Sequence, residues 1–152
     1  MSQPKNAIKL ADQVSGCELC QAVGGVRVAQ TPQLRVVRVD DLNFPAFYRV
    51  VWQDHRAEFT DLDAAERALC MDAVARVETV LREQLGPTKI NLAAFGNMVA
   101  HLHWHVVARF DWDSHFPQPV WGVAQRKVAP PAVQRLSLSL LELDACVAEA
   151  FA

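Results

Sequence analysis

Long apolar runs are missing from this 152-residue sequence. The opening stretch, MSQPKNAIKLADQVSG, holds nothing that would serve as a signal-peptide core, and no later segment approaches the roughly 20 apolar residues of a membrane-spanning helix. An excess of one charge is missing too: 15 Lys and Arg stand against 17 Asp and Glu, a formal net charge of −2, with both signs spread along the chain. Without a basic stripe the protein is not built to track a nucleic-acid backbone, so any anion it handles must be met by local groups. Internal repeats, low-complexity tracts and linker-like segments are absent as well, and nothing divides the chain. The expectation is one domain over residues 1–152, placed in the cytoplasm, with neither membrane nor nucleic-acid polymer as partner.

Cysteine is scarce, with four in the chain, and in a reducing compartment these do not form a disulfide framework. Cys70 and Cys146 fall in helical patterns, where a free thiol behaves as a small buried hydrophobe. Cys17 and Cys20 alone invite a functional reading. Hydrophobic residues make up 51% and charged residues 21%, a globular balance. At this length folding buries roughly two-thirds of the surface that the unfolded chain exposes, enough for one ordinary core.

Past Gly24-Gly25, residues 26–28 and 34–39 read as two strands joined through Thr31-Pro32-Gln33, a hairpin. Residues 47–52, β-branched and aromatic, read as a third strand. From Asp61 the period changes: Leu69, Ala73, Val77, Val80 and Leu81 recur at helical spacing, Thr60 with Asp63 resembles a capping box, and Gly86-Pro87 stops the run. Residues 89–95 and 102–110 follow as strands around a Gly96-Asn97 turn, and residues 111–122 form a loop rich in aromatics and proline. After Pro130-Pro131, the positions Val133, Leu136, Leu140, Leu141, Leu143 and Val147 suggest an amphipathic helix to the end, although Leu-Ser-Leu-Ser-Leu also fits a strand. The order argues for an α+β fold: an antiparallel sheet with one long helix, a core over about residues 15–122 and a C-terminal helical segment over about 130–152.

The segment His101-Leu102-His103-Trp104-His105 concentrates the chemistry. Alternation along a strand puts His101, His103 and His105 on one face and Leu102, Trp104 and Val106 on the other, so the apolar set supplies core while the imidazoles meet a cleft. Three buried imidazoles bring six nitrogens in need of partners, an expensive choice for packing alone. Three readings stay open: surface histidines on an edge strand, a histidine-bound metal, or a central nucleophilic imidazole oriented by its neighbours. Arg109, further along the same face, either lends positive potential to the cleft or pairs with an acid.

His101-Leu102-His103-Trp104-His105-Val106-Val107 resembles the His-φ-His-φ-His-φ-φ signature of the histidine triad, or HIT, superfamily of nucleotide hydrolases and transferases, where φ is apolar. The similarity runs upstream through Asn91 and Gly96-Asn97-Met98-Val99. The resemblance implies a HIT-like fold and attack by His103 on the α-phosphorus of a nucleoside phosphoramidate, dinucleoside polyphosphate or similar nucleotide, through a nucleotidyl-histidine intermediate. It implies that His101 and His105 complete the catalytic set, with His105 bonding a phosphate oxygen or the leaving-group bridge. It also implies that Asn91 and Asn97 contact the nucleotide, that the substrate is a purine nucleotide or a relative, and that the protein is a homodimer. The chain departs from the pattern at Leu92-Ala93-Ala94-Phe95, where many relatives carry a Gly-rich loop; the ordinary fate of Phe95 is core.

The pair Cys17 and Cys20 has metal-ligand spacing but needs two more ligands. Resemblance to the branches that include nucleotidyl-sugar transferases implies a structural zinc on Cys17, Cys20, His55 and His101, and no organic cofactor. Free reduced cysteines beside a hydrogen-bonded His101 are the alternative; a thioredoxin-like role lacks its βαβ context. Two other functions remain against the leading one: a catalytically weak nucleotide-binding regulatory module, and a metal-dependent hydrolase using histidine-bound zinc.

Overall fold

The structure, a computed structural model, describes residues 12–152. Five antiparallel strands form one sheet: β1 (Val26–Gln30), β2 (Leu34–Arg38), β3 (Phe47–Trp52), β4 (Lys89–Ala93) and β5 (His103–Arg109), in the order β1-β2-β3-β5-β4. The β1–β2 hairpin turns where Thr31 Oγ1 accepts from the amide of Leu34 at 3.2 Å. Gly25 is required at its base, because a β-carbon there would lie 2.5 Å from the Arg38 carbonyl oxygen. Helix α1 (Glu18–Gln21) is a single turn; α2 (Ala64–Leu85) and α3 (Leu140–Glu149) carry the helical mass.

The sheet has one apolar face and one chemical face. Leu34, Val36, Tyr48, Val50, Trp52, Val106 and Ala108 pack against Cys70, Ala73, Val74, Val77 and Leu81 of α2 and Leu143 and Val147 of α3. The stripe of α2 is rotated from the expected one: Cys70 and Val74 are buried, whereas Leu69 is 39% exposed. The α2 cap also differs. Asp63, not Thr60, is the N-cap, and its carboxylate and that of Glu66 answer each other's backbone amides; Thr60 lies in a preceding 3-10 turn, Phe59–Asp61. A left-handed Gly86 at φ 54° ends the helix, as only glycine does without strain.

The C-terminal segment is not one helix. A short 3-10 turn covers Ala132–Arg135, residues 136–138 are bent, and α3 begins only after the extended Ser139, which caps it with Glu142. Serine competes for backbone hydrogen bonds and so starts a helix better than it continues one. The helix is tied to the sheet where Asp144 accepts from Tyr48 Oη at 2.7 Å and Arg38 Nε at 2.9 Å. Among the described residues, no helix is long and apolar enough to cross a membrane.

Candidate active site

The second face of the sheet carries the functional groups, because odd-numbered residues of β3 and β5 point there together. Val51 pairs with His103, Arg49 with His105 and Phe47 with Val107. His103 places Nδ1 2.6 Å from the carbonyl oxygen of His101. A carbonyl only accepts, so Nδ1 carries the proton and the Nε2 lone pair is left free. Burial, followed by the nearby Arg49 charge, lowers the His103 pKa against the raising effect of that carbonyl bond. His105 is pushed down to about 3, by burial first and then by His103 and Arg49. Both rings are therefore neutral near pH 7.

His105 is held edge-on by its neighbours: its ring centroid lies 4.9 Å from that of His103, 5.1 Å from Trp121 and 5.4 Å from Phe47. Its Nδ1 is buried with no partner. His103 and His105 share a cavity of about 470 Å³ with Glu18, Arg49, Asn97 and Trp121. That volume suits a nucleotide-sized ligand. A second cavity of about 630 Å³ wraps the free edge of β4, lined by Asn91, His105, Phe95 and Trp121. Asn91 Oδ1 accepts from Arg109 Nη1 at 2.8 Å, which commits its oxygen and leaves the amide NH₂ for the cavity. Asn97 sits exposed at the cavity mouth.

His101 is separated from the other two histidines. It is fully buried, and it does not line the cavity that His103 and His105 share, so the cleft receives two imidazoles rather than three. Its Nε2 donates to the Trp52 carbonyl at 2.6 Å, which turns the Nδ1 lone pair toward Cys17 Sγ at 3.4 Å and Cys20 Sγ at 3.5 Å. His55 Nδ1 lies 3.4 Å from Cys20 Sγ. One donor atom from each of Cys17, Cys20, His55 and His101 falls within 4.8 Å of the others. These separations match the roughly 3.6 Å sulfur–nitrogen edges set by ligand bonds of about 2.3 and 2.0 Å around a tetrahedral ion. The His101–Trp52 contact is the outer hydrogen bond that a ligating imidazole ordinarily makes.

Arg109 does not reach the cleft. It is 2% exposed and clamps Asp113 through Nε at 2.7 Å and Nη2 at 3.0 Å, while Nη2 also donates to the Gln118 carbonyl. Burial alone would raise the Asp113 pKa, but Arg109 and the amides of His115, Phe110 and Phe116 lower it. This knot shapes the loop that sets Trp121 over His105. Phe95 is not core: it is 60% exposed and meets Trp121 edge-on at 4.8 Å above the cavity. The residue the pattern-based reading missed is Arg49, a lone charge in the otherwise apolar Phe47–Trp52 strand; a charge in a central strand was the available signal.

The HIT domain family profile matches residues 23–112. The chain belongs to the HIT domain family, which at the superfamily level is one of nucleotide-binding hydrolases and transferases, with some non-catalytic members. A histidine triad protein from Bradyrhizobium japonicum is 26% identical, with a TM-score of 0.72 over 93% of this chain and 99% of that one. A histidine triad protein from Sinorhizobium meliloti 1021 is 28% identical, with a TM-score of 0.62 over 71% of this chain and 80% of that one. A hypothetical histidine triad nucleotide-binding protein from Sulfolobus tokodaii shares the fold at 13% identity, with a TM-score of 0.60 over 89% and 91%. No curated protein matches the chain significantly.

Proposed function

We propose that the protein is a nucleotidyl hydrolase or transferase in which His103 is the nucleophile. The observation that carries this reading is the 2.6 Å bond from His103 Nδ1 to the His101 carbonyl, which leaves Nε2 as a free lone pair on a residue lining the cavity. Nε2 attacks the α-phosphorus of a purine nucleotide, a P–N bond forms, and the bond from phosphorus to the leaving group breaks as that group takes a proton. Water or another acceptor then attacks the same phosphorus, the P–N bond breaks, and the imidazole is restored. His105 stands beside the reacting centre to contact a phosphate oxygen or the bridging atom; Asn91 offers its amide and Asn97 its side chain to the nucleotide. Rapid quench followed by mass spectrometry of acid-sensitive nucleotidyl protein tests the reading: an adduct on His103 is expected. Turnover that persists in His103→Ala would overturn it.

Zinc fits the cluster of Cys17, Cys20, His55 and His101, with two thiolates and two Nδ1 donors closing the coordination shell. It would supply a structural tie rather than chemistry on the substrate, and the backbone supports this role. The Trp52 amide donates to the Leu102 carbonyl at 3.1 Å and the Leu102 amide to the Arg56 carbonyl at 2.7 Å, so ligands at the end of β3 and the start of β5 are already laced together. His101 is thereby a positioning residue whose carbonyl fixes the His103 tautomer. The free edge of β4, paired on one side only, supports homodimer formation, which sedimentation would show as twice the chain mass. The reduced state such thiolates need agrees with a cytoplasmic protein.

A further inference from the structure

Four arginines lie on the inner strands β2, β3 and β5, and three of them have their charge answered. Arg35 donates to the carbonyls of Leu19, Ala22 and Val23 and to Gln53. Arg38 pairs with Asp144, and Arg109 with Asp113. Arg49 is the exception: its one hydrogen bond is a long 3.3 Å contact from Nη1 to the Gly24 carbonyl, and its Nε is buried without any acceptor. Among the described residues no carboxylate comes within ion-pair distance of it. Glu18, which shares the cavity, is exposed, and water screens it.

A half-buried guanidinium whose Nε is sealed and unpaired calls for an explanation, and its location supplies one. Arg49 stands directly opposite His105 in the strand register, one strand away from the nucleophile and on the side of the cavity away from Asn91. A guanidinium offers a planar fork that matches phosphate. Burial lowers the Arg49 pKa against the opposing pull of Glu18, and a bound anion adds to that pull.

We propose that Arg49 binds a phosphate of the leaving group, so that the enzyme acts on nucleotides whose departing group is itself a phosphate ester or polyphosphate in preference to those releasing a neutral amine. The proposal rests on the His103 reading for its chemistry, but not for its binding. On release of a polyphosphate, the P–O bond to the α-phosphorus breaks and its electron pair stays on the departing oxygen. Arg49 neutralises that growing charge from the β3 side while the His103 Nε2 lone pair forms the new P–N bond.

Two measurements test it. Calorimetry with inorganic pyrophosphate should show binding to the wild-type protein, at least tenfold weaker binding to Arg49→Gln, and partial retention in Arg49→Lys, which keeps the charge but not the fork. Kinetics with diadenosine tetraphosphate and adenosine 5′-phosphoramidate should show the ratio of their kcat/KM values falling at least tenfold in Arg49→Gln. Pyrophosphate held as tightly by Arg49→Gln as by the wild type, no binding by the wild type, or an unchanged ratio would overturn the proposal. A protein that turns over neither nucleotide, yet loses pyrophosphate in Arg49→Gln, would defeat the nucleophile assignment and leave the role of Arg49 standing.

Discussion

His101 and His103 are two residues apart, share a carbonyl, and end in different chemistry. His101 has both nitrogens engaged, by the Trp52 carbonyl and by the cysteine sulfurs, and is sealed from solvent. His103 has one nitrogen engaged and the other free beside a cavity. The same side chain becomes an anchor in one place and a reactive group in the other, because partners rather than residue type decide which nitrogen keeps its lone pair. An imidazole that is to react needs one neighbour fewer than an imidazole that is to hold.

The strongest way to break this comparison is to remove the reactive member. His103→Ala is expected to lower kcat by three or more orders of magnitude with little change in Tm, as loss of a nucleophile does. Steady-state kinetics beside a melting curve checks both halves. A substitution on the anchor side should do the reverse. Cys17→Ser should release the metal and lower stability by several kcal/mol, as removal of a structural zinc ligand does, with activity falling in step with loss of folded protein. Metal content by plasma mass spectrometry, and denaturant melts with and without chelator, would show it; full stability without metal would sink the zinc reading.

His105 sharpens the comparison through pH. Its folded pKa of about 3 lies below the unfolded value near 6.5, so between these limits the unfolded chain binds the extra proton. The stability this gives is complete above pH 6.5 and is lost as pH falls, by up to about 1.4 kcal/mol per unit from this one ring. Urea melts between pH 7 and pH 4 should follow that slope, and His105→Asn should flatten it. The smallest expected effect lies far from both histidines: Asp63→Ala removes the cap of α2 and should cost about 1 kcal/mol with catalysis intact.

The strands and the long helix were legible in the sequence because their periods are imposed by local geometry. The six residues from Phe47 to Trp52 match their strand, and Gly86 ends α2 as a glycine there should. Three details were not legible, each for a tertiary reason. The buried stripe of α2 turned from Leu69 to Cys70 and Val74 because the sheet, and not the helix, chooses which shoulder of an apolar stripe it covers. The break at residues 136–139 adds to the local preference of serine a contact between distant parts of the chain, Ser137 Oγ donating to the Gln84 carbonyl at 2.8 Å. Phe95 left the core because Trp121 offered it a ring across the cavity, although aromatics in such stretches usually pack inward.

Of the candidate site, the sequence named the histidines and the cysteines, since a period-two run of imidazoles and a CxxC pair are local patterns. Strand alternation alone did not divide the three histidines between two environments, and the family resemblance had placed His101 both on the metal and in the catalytic set. That division depends on the Trp52 carbonyl and on thiols some 80 positions away in sequence, which only folding brings to His101. The sequence reading also passed over Arg49, whose meaning lies in the acceptors it lacks. What the sequence determined alone was which groups share a face, because side-chain alternation is a property of the strand itself. Which nitrogen is free, and which charge is left open, was decided by tertiary structure, because hydrogen-bond partners come from other elements and a lone pair is available only where none arrives.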